Sequence, residues 1–181
     1  MKLVDNMKMY NVESLGLECE KPILGIFGTE SFTNISKGEV TGDRRRAVRK
    51  IISLLKGIEP RLVYIIPRGK TCLYATHLLR ILDIPFSLII PCTGYFDNLR
   101  KFHNLKFEKA VEGSQSIIIL SDETLDLKNS KRIEDEAENF IVERAELILS
   151  IYGSTLPQRY KNLNKKLNNV EGDVIFLNYS Q

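Results

Sequence analysis

Two clusters in this chain hold the residue types that handle phosphates and sugars. The run Pro67-Arg68-Gly69-Lys70-Thr71 sets two fixed cations around a glycine, after the apolar stretch Leu62 to Ile66 and before the helical stripe Cys72, Ala75, Leu78, Leu79, Leu82. A strand turning into a helix at that point offers bare backbone N–H groups, the positive end of the helix dipole and charged side chains together, which is what holds an anion. The second cluster is Asp122-Glu123, which follows the apolar run Ile117 to Leu120. A carboxylate there can bind sugar hydroxyls or activate water, and Glu136 and Glu138 further along are the other acids suited to such work. As ordinary helix acids, those two glutamates would instead face solvent.

Positioning these groups requires an open sheet. Six short, nearly continuous runs of Ile, Leu, Val, Phe and Tyr read as strands covered on both faces: 23–27, 62–66, 86–90, 117–120, 147–151 and 174–177. Between them lie stripes at helical spacing. Asp43 is placed to cap a helix carrying Ala47, Val48, Ile51, Leu54 and Leu55 that ends near Gly57. A helix over 71–82 stops ahead of Pro85. Asn104 caps a short helix with Phe107, Ala110 and Val111, Asn129 or Ser130 opens one with Ile133, Ala137, Phe140 and Ile141, and Leu156, Tyr160, Leu163 and Leu167 mark the last. The alternation predicts an α/β, Rossmann-like three-layer domain over 21–181 with a mainly parallel six-stranded sheet, preceded by an extension over 1–20 without clear period.

In such a sheet ligands bind beyond the carboxyl ends of the strands, and the loops after strands one and two are expected to face each other across a crevice. The candidate ligand-binding residues there are Gly28, Thr29, Arg68, Gly69, Lys70 and Thr71, with Thr93 and Tyr95 after the third strand, Asn139, and Ser154 after the fifth. Tyr95 can stack on a base and Asn139 can hydrogen-bond a sugar.

Composition narrows the classes. With 181 residues, 43% hydrophobic and 27% charged, the chain has the make-up of a globular domain. A net charge of +3 from 26 basic and 23 acidic residues carries no strong nucleic-acid signal, and Arg44, Arg45, Arg46, Arg49 and Lys50 fall at the spacing of a solvated helix face. The three cysteines lack CxxC spacing, and His77 and His103 are the only histidines, so neither a metal centre nor a cofactor is expected. Asp5 interrupts the opening apolar residues and no run reaches membrane-spanning length, which points to a cytoplasmic protein. Phe96, Phe102 and Phe107, in a charge-rich stretch, suggest a self-association surface and a homo-oligomer.

Known phosphate motifs fit in part. The Walker pattern GxxxxGK[ST] would need glycine where Tyr64 stands. Leu62 to Ala75 with the acidic pair resembles the phosphoribosyltransferases, yet Thr124-Leu125-Asp126-Leu127-Lys128-Asn129 lacks the glycine-rich phosphate turn of that family. A wider resemblance runs from Ile23 to Ile151. Gly25-Ile26-Phe27-Gly28-Thr29, Ile65 to Ala75, Pro91 to Tyr95, and Glu138-Asn139-Phe140-Ile141-Val142-Glu143-Arg144-Ala145-Glu146 resemble, in order, segments of the SLOG superfamily, the Rossmann-like group with the DprA, LOG and YpsA-like families. Here Arg68-Gly69 replaces the usual Gly-Gly pair, Gly153-Ser154-Thr155 replaces Gly-Gly-Thr, and the PGGxGTxxE motif of the LOG phosphoribohydrolases is missing. The resemblance implies a protein that binds a nucleotide or sugar phosphate, either sensing it or cleaving its N-glycosidic bond.

Overall fold

The computed structural model describes residues 21–28, 40–102, 104–126, 128–152, 158–170 and 172–178. Its elements alternate as the apolar runs require: β1 (Ile23–Gly28), α1 (Val40–Ile58), β2 (Leu62–Ile65), α2 (Gly69–Ile81), β3 (Phe86–Ile90), α3 (Thr93–Phe102), α4 (Asn104–Gly113), β4 (Ser116–Ile119), α5 (Ser130–Arg144), β5 (Leu147–Tyr152), α6 (Gln158–Leu167) and β6 (Asp173–Asn178). The strands form one sheet in the order β4-β3-β2-β1-β5-β6, and every pairing is parallel. Helices cover both faces, which makes the fold a Rossmann-like three-layer α/β architecture.

Alternation along the strands divides the core in two. Leu24, Ile26, Val63, Ile65 and Leu88 point to the face packed by Ala47, Ile51 and Leu55 of α1, Leu78 and Leu79 of α2, and Phe107 of α4. Phe27, Ile89 and Ile148 point the other way, onto Ala137 and Ile141 of α5 and Tyr160, Leu163 and Leu167 of α6. Each fully buried Leu or Ile contributes about 1.5–3 kcal/mol. Gly25 lets α5 lie close to β1, since a Cβ there would come within 2.5 Å of Ile141 Cγ2.

The strand order sets where the chain changes direction. The chain steps outward from β1 through β2 and β3 to β4, then returns to place β5 on the other side of β1. With right-handed crossovers, that reversal puts the later helices on the opposite face. The direction therefore switches between β1 and β5, not between β1 and β2 as the sequence led us to expect, because the fifth strand takes the free edge of the first. Residues 29–39 and 153–157, which follow those two strands, lie outside the described residues, as does the extension 1–20.

Several boundaries also shift. Helix α1 begins at Val40, so Asp43 falls inside its first turn, and it passes through Gly57 to end at Ile58, followed by Glu59 at φ 47°. Helix α2 closes with Ile84 N–H donating to Leu79 O at 2.9 Å and Asp83 in the left-handed region at φ 55°, a short polar residue that tolerates the conformation glycine usually fills. Helix α3 forms where Pro91 and Gly94 predict a loop. Edge strand β4 stays partly uncovered, with Ile117 37% and Ile119 46% exposed.

Candidate functional site

The turn from β2 into α2 is built around Gly69, whose φ of 67° is accessible to glycine and strained for a residue with a Cβ. Arg68 occupies the position before the helix in an extended conformation and gives no side-chain cap to it. The first N–H groups of α2 are thus left to other partners. Gly28, at the end of β1, lies directly against this turn: a Cβ on Gly28 would sit 2.6 Å from Thr71 Cγ2 and 3.3 Å from Cys72 Sγ. Thr71 is 1% exposed, and its Oγ1 has no hydrogen-bond partner among the described residues. Lys70 is exposed beside it. Gly28, Gly69, Lys70 and Thr71 therefore meet at one place, as their sequence positions predict.

Arg68 behaves differently from the loop cation the sequence suggests. Its side chain is buried, with Nη2 3.1 Å from Glu138 Oε1 and Nη1 3.9 Å from Glu134 Oε2. Its guanidinium also lies 5.7 Å from the centre of the Tyr160 ring. Burial opposes the charge, but Tyr160, Tyr95, Glu138 and Glu134 outweigh it and hold the guanidinium above its ordinary range. Glu138 is correspondingly not an exposed helix acid but a buried one. Spacing explains this: Glu134 and Glu138 flank the stripe Ile133, Ala137, Ile141 that α5 turns to the sheet.

On the outer side of this ion pair, α5 and α6 border a groove of about 790 Å³ lined in part by Lys131, Glu134, Glu138, Asn139, Asn162 and Lys166. Lys166 Nζ donates to Asn139 Oδ1 across it. Asn139 thus borders the groove, Tyr95 is buried at 7% exposure where it acts on the Arg68 charge, and Phe96 packs edge-on to the buried Phe107 at 5.3 Å. Those two phenylalanines belong to the interior packing of α3 and α4.

The remaining acids stand apart. β4 is three strands from β1, roughly 14 Å at the usual strand spacing. The loop after β4 turns toward α3, with Thr93 N–H donating to Ser121 O at 3.1 Å and Gly94 packed against Leu125. Asp122 and Thr93 are exposed there, above β3 and β4. Arg132 binds Glu123 at 2.5 Å and Glu136 at 2.7 Å, and chiefly through that hydrogen bond it holds the Glu123 carboxyl below its ordinary value. Asn129 stitches the same loop, accepting from Asp126 N–H and donating to Thr124 O.

The acid that closes the segment 138–146 has a structural partner. Glu146 Oε2 accepts from Ile23 N–H at 2.7 Å and Oε1 from Arg61 at 3.2 Å, pinning the starts of β1, β2 and β5 at the end of the sheet away from the site. Thr29 and Ser154 lie outside the described residues. Glu134, Tyr160, Lys166 and Arg132 are the members of this region that sequence reasoning missed. Among the described residues no group of three His, Cys, Asp or Glu is placed to hold a metal ion, and no helix is long and apolar enough to cross a membrane. Compared with protein-family models and with curated proteins, the chain matches none of either.

Proposed function

We propose that the chain binds a nucleotide or a nucleotide-derived phosphate at the carboxyl ends of β1 and β2, as a ligand-binding or sensing protein. The observation that carries this reading is the buried Thr71 hydroxyl, without a partner among the described residues, at the open amino end of α2 and beneath a glycine whose Cβ the site could not hold. Backbone N–H groups, the helix dipole, that hydroxyl and Lys70 supply donors and positive charge to one phosphate. Arg68 serves as the strut behind the turn. The resemblance to the SLOG superfamily supports the same ligand class.

Binding without turnover is the form we favour. Cleavage of an N-glycosidic bond needs a carboxylate at the sugar, whereas Glu138 is engaged by Arg68, Glu136 by Arg132, and Asp122 sits over the far strands. Thermal melts with a panel of nucleoside mono-, di- and triphosphates, cyclic nucleotides and ribose phosphate test the proposal, since a ligand of the native state raises the melting temperature by mass action. A shift that Lys70→Glu abolishes is expected; a panel without any shift would overturn it. Chromatography of the same mixtures should show no free base, and base release lost in Asp122→Asn or Glu138→Gln would establish the enzyme instead.

A further inference from the structure

We propose that the groove between α2 and α4 is a separate binding site for an organic anion with an aromatic body, such as an aryl carboxylate, sulfonate or phosphate. The groove encloses about 310 Å³, at the lower end of the range for small-molecule sites. Its floor is apolar, formed by Leu73 and Ala110, and the Tyr74 and His77 rings lie along one wall with centroids 6.1 Å apart. Leu105 forms part of the rim and is 66% exposed, although a large apolar side chain gains by being covered.

The charge on this rim is of one sign. Arg80 comes from α2, Lys106 and Lys109 from α4, and among the described residues no carboxylate lines the groove. Lys106 and Lys109 are three residues apart and share a helix face, where like charges cost a few tenths of a kcal/mol rather than stabilising the helix. Arg80 is held in place by contact: its side chain lies across Gly113, where a Cβ would come within 2.3 Å of Arg80 Cδ and 2.6 Å of Nε. Three cationic residues lining a groove with apolar side chains and two rings complement a flat body bearing a negative group. The site is on the outer surface of α2, away from the amino end that the proposed phosphate site uses, so the two stand or fall separately.

Two fluorescent probes with the same rings distinguish the charge requirement: anilinonaphthalene sulfonate and its uncharged counterpart phenylnaphthylamine. The chain has no tryptophan to interfere. The sulfonate should bind at one site about tenfold more tightly than the neutral probe, the size expected of one charge-assisted contact. The double variant Lys106→Glu/Lys109→Glu should erase that preference with its melting temperature kept, as both side chains are exposed; Lys106→Gln/Lys109→Gln serves if the reversal unfolds the helix. Amide resonances of Tyr74, His77 and Leu105 should move on titration. Failure of the sulfonate to bind, equal binding of the two probes, an unaltered preference in the lysine variants, or resonance shifts at Gly28 and Lys70 instead would each overturn the proposal.

Discussion

Arg68 on the turn before α2 and Glu138 on α5 form an ion pair at 3.1 Å with both residues buried, joining a helix of one face of the sheet to a helix of the other. Removing one partner leaves the other charge without its closest counter-ion. Glu138→Leu should cost about 3 kcal/mol in urea denaturation, while Arg68→Met/Glu138→Leu together should recover most of it, as buried pairs replaced by apolar residues generally do. Equal losses in the single and double variants would contradict that account.

Gly25 and Gly28 make the complementary prediction for packing. Gly25→Val drives a side chain into Ile141 and Ala145 of α5, and Gly28→Val drives one into Thr71 and Cys72 of α2. Each should lower stability by about 1–3 kcal/mol through overpacking. Only Gly28→Val should also remove the nucleotide-induced melting shift, because the Gly25 contact lies on the α5 face.

Cys72 carries a pH dependence. Burial pushes its thiol up to about 11, against the partial opposing influence of Arg68 and the backbone of Gly28 and Arg68. A folded-state value above the unfolded one means that the native state keeps the proton longer, so its stabilising share is whole below pH 9 and is lost as the pH rises from 9 toward 11. The loss should reach at most about 3 kcal/mol. Denaturation curves across that window should flatten in Cys72→Ala, and thiol labelling of Cys72 at neutral pH should be slow in the wild type and fast only after unfolding.

Glu59 offers a stabilising change. Its φ of 47° is unfavourable for a residue with a Cβ, and its ion pair with Lys21 at 3.1 Å is exposed on both sides. Exposed pairs contribute little. Glu59→Gly should therefore raise stability by up to about 1 kcal/mol in the same assay.

All six strands were legible because each is a dense apolar run; coverage on both faces explains the inner ones, while β4 keeps the same composition at an edge where Ile117 and Ile119 stay exposed. Helix α3 was missed although Tyr95 and Leu99, one turn apart, are both buried; Pro91 and Gly94 mark a turn locally, and the packing of Gly94 against Leu125 that uses them is non-local. The turn before α2 could be read directly, since Arg68, Gly69, Lys70 and Thr71 are contiguous. The partner of Arg68 could not: Glu138 lies seventy residues away on a helix where Asp135, Glu136 and Glu143 are exposed, and only the return of the chain across the sheet brings them together. The same holds for Asp122, whose distance from β1 depends on strand order, a property that apolar runs do not encode.

Placing β1 between β2 and β5 also bears on how the molecule assembles. Ile23 and Glu146, bonded at the start of that central pairing, are 123 residues apart. During synthesis β2 can add to β1, β3 to β2 and β4 to β3 in turn, each across one crossover, while the other edge of β1 waits for a strand made much later. Closing so long a loop costs entropy before any contact returns it, and non-local pairings of this kind slow folding. A half-sheet ending in an open β1 edge would be the species most prone to pair with another chain, so the late arrival of β5 is the step that a chaperone or a fast-folding variant would have to serve.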